Sequence, residues 1–211
     1  MIRLLLMLSL CWLLGASPAF AETQPEQSAS NGAAPTSGSA LPPAAEVNGA
    51  PGEYWVLVDT SAYRLDVFNG DQAVLSFEDI AVGRGGAAAE RERGDQRTPL
   101  GEFRVLWVNM ESQFHRFLGF NYPTYMHTRR GLERGLVTLD EYTDLAAAYR
   151  AGRIPSQTTR LGGYLGIHGL GRVDPTLHRN INWTRGCIAL TNEEVDQLLE
   201  YVRVGTRVVV R

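Results

Sequence analysis

The feature that most limits how this chain can fold is a change of composition near residue 52. Residues 22–52 consist of Ala, Pro, Ser, Gly, Gln, Glu, Thr and Asn, and Leu41 and Val47 are the only large apolar residues among them. Such a segment cannot bury enough apolar surface to offset the entropy lost on ordering, so we predict a disordered linker. Residues 53–211 remain, and they suffice for a single domain with one core.

The first 21 residues have the three parts of a secretory signal peptide. A short basic start (Met-Ile-Arg) precedes an apolar run over residues 4–14, and the segment ends in Ala19-Phe-Ala21. A membrane anchor is the alternative, but a bilayer needs roughly twenty apolar residues and this run is too short. We predict cleavage after Ala21 and export to the periplasm or cell envelope, with no transmembrane segment in the mature chain.

Loss of residues 1–21 would remove Cys11 and leave Cys187 as the only cysteine. Exported proteins usually carry paired cysteines as disulfides, because their compartment is oxidising. A lone thiol in such a protein is either reactive or buried and inert, and composition alone leaves both possibilities open.

The charge balance argues against nucleic acid as a partner. Every basic residue is Arg, and the chain has 20 basic and 23 acidic residues. Removing Arg3 with the signal peptide makes the mature chain slightly more acidic. Non-specific nucleic-acid binding requires a basic surface, which this composition does not supply.

Alternating apolar residues predict a mainly β domain with a few helices. Strands are expected over 54–58, 63–68, 74–77, 101–108 and 207–210, with an Asn69-Gly70 hairpin turn between the second and third. Capping boxes at Thr138 and Thr191 predict two helices. Residues 85–96 lack apolar periodicity, so we expect an exposed, mobile loop there.

Two residues carry the chemistry. Tyr164 to Ile167 has strand character and would deliver His168 at its end, while Gly186 precedes Cys187. A thiol nucleophile needs a base within hydrogen-bond reach, and imidazole suits that role near neutral pH. A glycine beside the nucleophile lets backbone N–H groups approach the reacting carbonyl. Taken singly, each residue also fits a purely structural role.

The spacing of these residues resembles the L,D-transpeptidase catalytic domain, also called YkuD-like. His168-Gly169, a spacer to Trp183 and then Thr184-Arg-Gly-Cys187 match its His-Gly and Ser/Thr-x-Gly-Cys signature. Thr98-Pro-Leu-Gly-Glu-Phe103 is similar to the strand entry of that family. The residues around the cysteine look closest to those of the YafK-like branch of murein transpeptidases. Ala189 departs from the Arg that many members carry two residues after the cysteine, which puts donor and acceptor choice in question.

The resemblance implies a β-sandwich with a helical insertion before the catalytic His, and an enzyme that acts on peptidoglycan stem tetrapeptides. Cys187 would form a thioester and His168 would act as its general base, with the N–H groups of Gly186 and Cys187 as the oxyanion hole. An amine of a second muropeptide or of a protein would then resolve the thioester. No cofactor or metal is implied. Five further residues are candidates for substrate binding: Gly169, Thr184, Arg185, His115 and Tyr122.

Several alternatives remain open at this stage. The same fold could run as an L,D-carboxypeptidase or endopeptidase if water resolves the thioester, or persist as a catalytically silent peptidoglycan-binding module. A zinc site is disfavoured, because no His-x-x-x-His or Cys-x-x-Cys spacing occurs. Residues 128–160 form an insertion of sufficient length to act as a lid. Arg172 and Arg179 are expected to be solvated loop charges.

Overall fold

The computed structural model describes residues 53–211, so the predicted signal peptide (1–21) and linker (22–52) lie outside the described residues. Eight strands form one sheet in the order β3-β2-β1-β10-β6-β7-β8-β9, and β4 pairs with β5 apart from it. The strand bounds are β1 Tyr54–Asp59, β2 Arg64–Asn69, β3 Gln72–Phe77, β4 Ala87–Ala88, β5 Thr98–Pro99, β6 Gly101–Ser112, β7 His115–Phe120, β8 Gly166–His168, β9 Ile188–Ala189 and β10 Arg207–Val210.

The first three strands follow the predicted pattern. β1 and β2 pair antiparallel, and so do β2 and β3. The predicted hairpin is present, but Asn69 pairs with Gln72, so the two loop residues are Gly70 and Asp71. Gly70 has a φ of 59°, a conformation that glycine adopts without steric cost. β10 lies beside β1 in parallel, which places the C-terminal strand inside the sheet.

β6 links the two halves of the sheet. It runs to Ser112, four residues beyond the predicted end at Val108, and pairs with both β10 and β7. Register shifts near Val105 and Asn109 mark irregularities along it. β7 (His115–Phe120) was absent from the sequence prediction, because its apolar residues are consecutive and do not alternate. Side chains from both halves contribute to one hydrophobic core.

Four helices occur within residues 53–211: α1 Tyr125–Glu133, α2 Leu139–Arg150, α3 Pro175–Asn180 and α4 Asn192–Leu198. Both predicted capping boxes are present. The Thr138 hydroxyl accepts from the N–H of Glu141, and the Thr191 hydroxyl accepts from the N–H of Glu194. α1 and α3 were missed, because neither has a side-chain and backbone capping box in its sequence. None of the helices in this part of the chain is long and apolar enough to cross a bilayer.

The prediction of a mainly β domain with few helices is confirmed, and α1 and α2 form the expected helical insertion before His168. The prediction of an exposed loop over 85–96 is wrong at its centre. Arg91 is only 6% exposed, and Ala87–Ala88 pairs in parallel with Thr98–Pro99. Main-chain hydrogen bonds hold the loop against the domain, and one of them runs from the N–H of Arg93 to the carbonyl of Arg160.

Candidate active site

Cys187 and His168 lie at the ends of adjacent strands. His168 is the last residue of β8, and Cys187 directly precedes β9, which pairs with β8 in parallel through Ile167 and Ile188. Both residues line one cavity of about 630 Å³. The lining is completed by Arg84, Gln113, Phe114, Gly163, Tyr164, Leu165, Trp183, Thr184 and Arg185. Strand pairing therefore brings together two residues that are far apart along the chain.

His168 is held as a neutral imidazole with a defined tautomer. Its Nδ1 lies 2.7 Å from the carbonyl oxygen of Gly169, which can only accept, so Nδ1 carries the proton. Nε2 is then the basic nitrogen. The His168 ring stacks on Phe114, with ring centroids 4.4 Å apart, and makes an edge contact with Trp183, with ring centroids 5.7 Å apart. Burial lowers the pKa of His168 to about 4, so the ring is uncharged at neutral pH.

Cys187 is half-buried and also uncharged. Its Sγ lies 3.4 Å from the carbonyl oxygen of Tyr164, to which the thiol donates. Burial raises the pKa of the Cys187 thiol to about 11, although a backbone N–H of Gly166 and the charge of Arg91 act in the opposite direction. The resting site thus holds a neutral thiol and a neutral imidazole.

A hydroxyl-braced turn presents the cysteine. Oγ1 of Thr184 accepts from the N–H of Gly186 at 3.1 Å and donates to the carbonyl of Cys187 at 2.7 Å. Gly186 has a φ of 122°, which other residues rarely adopt. The N–H of Gly186, one of the two predicted oxyanion donors, is engaged by this hydroxyl in the present conformation. The N–H of Cys187 is the remaining candidate of the pair.

The predicted substrate-binding residues separate into two groups. Arg185 and Thr184 both line the cavity. Arg185 is exposed, whereas Thr184 is buried and its hydroxyl is occupied by the turn. Gly169 does not line it. Its carbonyl fixes the His168 ring, and a Cβ there would lie 2.7 Å from Oδ1 of Asn192. Gly169 therefore orients the imidazole of His168 and makes no lining contact of its own.

His115 and Tyr122 are the two predicted cleft residues that lie elsewhere. His115 bonds through Nε2 to Asp196 at 2.7 Å. Tyr122 is fully buried, and its hydroxyl donates to the carbonyl of Leu161. The sequence resemblance placed both near the cleft, but packing turns one toward α4 and the other into the core.

Seven lining residues were not among the predicted site residues: Arg84, Gln113, Phe114, Gly163, Tyr164, Leu165 and Trp183. Arg84 follows Gly83 and is tied to the cysteine loop through its Nε, which donates to the carbonyl of Trp183. Only the tertiary bridge between Gly83 and Thr184 brings this arginine to the site. For Gln113 and Phe114, the neighbouring Ser112-Gln-Phe-His115 motif was the available signal.

The helical insertion reaches the site through one side chain. No residue of 128–160 lines the cavity, so the insertion does not cover the cavity in this conformation. Oε1 of Gln157 accepts from the N–H of Tyr164, while its Nε2 donates to the carbonyls of Tyr122 and Pro155. Tyr164 has a φ of 54°, an uncommon conformation for a residue with a side chain. Gln157 holds that backbone, whose carbonyl receives the thiol.

No cluster of three or more His, Cys, Asp or Glu side chains suited to a metal ion occurs within the described range 53–211. The groups that meet at the cavity are a thiol, an imidazole and two guanidinium groups. These groups are suited to nucleophilic attack on a carbonyl in an anionic substrate.

Comparison with known families identifies this arrangement. The family model for YkuD, the L,D-transpeptidase catalytic domain, matches residues 53–210. That span is well over half of the chain, so the chain belongs to the YkuD L,D-transpeptidase catalytic domain family. The resemblance found in the sequence is confirmed at the family level, and the match is compatible with the YafK-like branch without singling it out. No curated protein matched the chain in a sequence search.

Solved structures share the fold at low sequence identity. The helical cell shape determining protein Pgp2 from Campylobacter jejuni has a TM-score of 0.51 at 18% identity, covering 75% of this chain and 47% of that one. Bdellovibrio bacteriovorus Bd1075 has a TM-score of 0.49 at 18% identity, covering 75% of this chain and 48% of that one. An Enterococcus faecium L,D-transpeptidase has a TM-score of 0.46 at 13% identity, covering 76% of this chain and 50% of that one. The chain thus spans about half the length of these structures, and the Pgp2 likeness supports the fold alone.

Proposed function

We propose that this protein is a cysteine-dependent L,D-transpeptidase that acts on peptidoglycan stem tetrapeptides through a thioester on Cys187. The observation that carries the proposal is the shared cavity, in which a thiol and an imidazole with a fixed tautomer face the same space. Membership of the YkuD family supports peptidoglycan as the substrate class. A role in cell-wall biogenesis and cell shape would follow from this chemistry.

The first half-reaction forms the thioester. Sγ of Cys187 attacks the carbonyl that joins the third stem residue to D-Ala, while Nε2 of His168 takes the thiol proton. The new C–S bond leaves negative charge on the carbonyl oxygen, and the N–H of Cys187 is the candidate donor to it. Collapse breaks the C–N bond, and His168 returns the proton to the departing amine of D-Ala.

The second half-reaction resolves the thioester. An acceptor amine, from another stem peptide or from a protein, attacks the thioester carbonyl and loses a proton to His168. The C–S bond then breaks, and the sulfur recovers that proton as a thiol. If water attacks instead, the product is a shortened stem peptide and the enzyme acts as an L,D-carboxypeptidase or endopeptidase.

Substrate charge provides a second line of support. Arg84 and Arg185 line the cavity and are exposed. Guanidinium groups bind carboxylates in a planar, two-point geometry, and stem peptides are rich in carboxylates. We propose that these arginines orient the donor stem, and that they supply part of the contact that Ala189 does not provide.

The test uses the purified protein and defined tetrapeptide muropeptides, with products read by mass. Cross-linked dimers indicate transpeptidation, and tripeptides indicate hydrolysis. Cys187→Ala should abolish both products, and His168→Gln should lower their rate by about a hundredfold or more, the range for loss of a general base. If the wild type forms neither product and no covalent intermediate, the protein is a catalytically silent module and the proposal is wrong.

Export is a separate proposal that rests on residues 1–21. Peptidoglycan lies outside the cytoplasmic membrane, so an enzyme acting on it must be exported. N-terminal sequencing of protein recovered from the cell envelope should begin at Glu22. Recovery of a chain that still begins at Met1 would contradict cleavage.

A further inference from the structure

Arg91 is a buried cation that uses little of its hydrogen-bonding capacity. The residue is 6% exposed, and its Nε and Nη1 have no hydrogen-bond partner within residues 53–211. Nη2 makes a long contact, 3.5 Å, with the carbonyl of Glu92. Asp95 lies 3.5 Å from Nε, but its carboxylate also accepts backbone N–H groups of the loop. A buried charge with so few partners costs several kcal/mol, so a compensating role is expected.

The guanidinium lies behind the backbone that carries the nucleophile. A Cβ placed on Gly186 would be 3.1 Å from Nη1 of Arg91, and one placed on Gly162 would be 3.5 Å from Nη2. On another side, the guanidinium carbon lies 5.7 Å from the centre of the buried Tyr122 ring. Arg91 is absent from the cavity lining, so it faces the cysteine loop from the protein interior.

The electrostatic effect of Arg91 has a definite sign. Burial raises the pKa of the Cys187 thiol, and the Arg91 charge opposes that rise. The other charged or titratable groups that share the cavity are His168, which is neutral at pH 7, two exposed arginines, Arg84 and Arg185, and the exposed phenol of Tyr164. Solvent screens exposed charges, whereas a buried charge acts through a lower dielectric constant.

We propose that Arg91 is a positioning residue for the nucleophile: its buried guanidinium lies against the backbone at Gly186, beside Cys187, and stabilises negative charge on Sγ as the thiol loses its proton. The inference rests on the proposed function of Cys187 as nucleophile. Arg91 takes part in no bond change and keeps its proton throughout. The position of Arg91 is a second reason why residue 186 is glycine, because a side chain there would displace the guanidinium.

The test measures thiol acidity directly. The full chain is treated with iodoacetamide between pH 6 and 10, and the rate at Cys187 is followed by peptide mass, which separates it from Cys11. Arg91→Met should slow alkylation at pH 8 by about tenfold, equivalent to one pH unit in the profile. Arg91→Lys, which keeps a positive charge, should recover most of that rate. The matched control is Arg93→Met, an exposed arginine of the same loop, which should keep the wild-type profile.

A variant of opposite sign keeps the inference testable if Arg91→Met does not fold. Asp95→Asn removes the carboxylate that partly offsets Arg91, so alkylation should become faster at a given pH. Loosening of the loop alone would not shift the profile toward lower pH. The inference is overturned if folded Arg91→Met keeps the wild-type profile or if Asp95→Asn shifts it upward. Since iodoacetamide needs no muropeptide, a failure of transpeptidation in the wild type would not alter this result.

Discussion

At the scale of single residues, the site is built around uncharged groups. The thiol of Cys187 has its pKa raised to about 11, and the imidazole of His168 has its pKa lowered to about 4, both chiefly by burial. A preformed thiolate–imidazolium pair is therefore disfavoured in the free protein. The thiol is also engaged, since it donates to the carbonyl of Tyr164.

Gly186 is the residue whose conformation the cysteine depends on most. Its φ is 122°, and a Cβ would lie 2.6 Å from the carbonyl oxygen of Arg97. We expect Gly186→Ala to lower the free energy of unfolding by roughly 2–4 kcal/mol, because backbone strain and a steric clash combine. Urea unfolding measures the change.

Gly152→Ala is the control for that experiment. Gly152 also has a positive φ, 61°, but a Cβ there meets no atom within 4 Å. Gly152→Ala should lower the free energy of unfolding by only about 1 kcal/mol, which is the strain of the backbone alone. Equal losses in the two variants would mean that the close approach to Arg97 has no energetic consequence.

Buried histidines predict the acid sensitivity of the fold. Burial lowers the pKa values of His168 and His127 to about 4, from 6.5 in an unfolded chain. Between those values the unfolded chain binds more protons, so stability is lost as the pH falls from about 6.5 to 4, by on the order of 3 kcal/mol per histidine. Urea unfolding at stepped pH should show this slope, and His127→Gln should reduce it. A flat wild-type profile across the same range would refute the prediction.

At the scale of elements, the helical insertion acts on the site through Gln157 and not as a cover. Its amide bonds to the backbone of Tyr164, Tyr122 and Pro155. The contact explains how Tyr164 holds a φ of 54° beside the thiol. The insertion and the cysteine are thus linked through the half-buried amide of Gln157.

Replacing that amide tests the coupling. Gln157→Met should lower the free energy of unfolding by about 1–3 kcal/mol, since a backbone N–H and two carbonyls lose their partner. It should also change the alkylation rate of Cys187, because the Tyr164 carbonyl is free to move. Thr138→Ala, which removes the α2 cap in the same insertion, should cost about 1 kcal/mol and leave the thiol unaffected. A Gln157→Met protein with a wild-type alkylation rate would show that the coupling is absent.

At the scale of the whole molecule, the described residues 53–211 enclose a hydrophobic core of their own. Its largest buried side chains include Phe103, Phe120 and Leu118, from strands β6 and β7. The family match begins at residue 53 as well. We therefore propose that residues 53–211 fold as an independent catalytic domain.

Truncation is the test of that proposal. A chain that begins at Glu53 should have the same free energy of unfolding as a chain that begins at Glu22, within about 0.5 kcal/mol, the range for changes away from packed features. The rate of iodoacetamide alkylation at Cys187 should also be equal. A large loss of stability on truncation would show that residues before 53 contribute to the fold.

The sequence by itself determined the parts of the protein that depend on nearby residues. Each capping box, at Thr138 and Thr191, joins residues three apart, and the hairpin at Gly70 joins adjacent strands. The spacing of His168 and Cys187 was sufficient to identify the family. These features can be predicted from the sequence because their contacts are local, or because they belong to a family motif.

Tertiary structure alone decided what surrounds the thiol of Cys187. Arg91 belongs to a polar loop that predicts exposure, yet packing against Tyr122 and Gly186 buries its charge. Arg84 reaches the cavity through pairing between distant segments, and the N–H of Gly186 is taken by the Thr184 hydroxyl. Burial, pKa and the orientation of hydrogen bonds depend on which distant segments meet, and no local pattern encodes that.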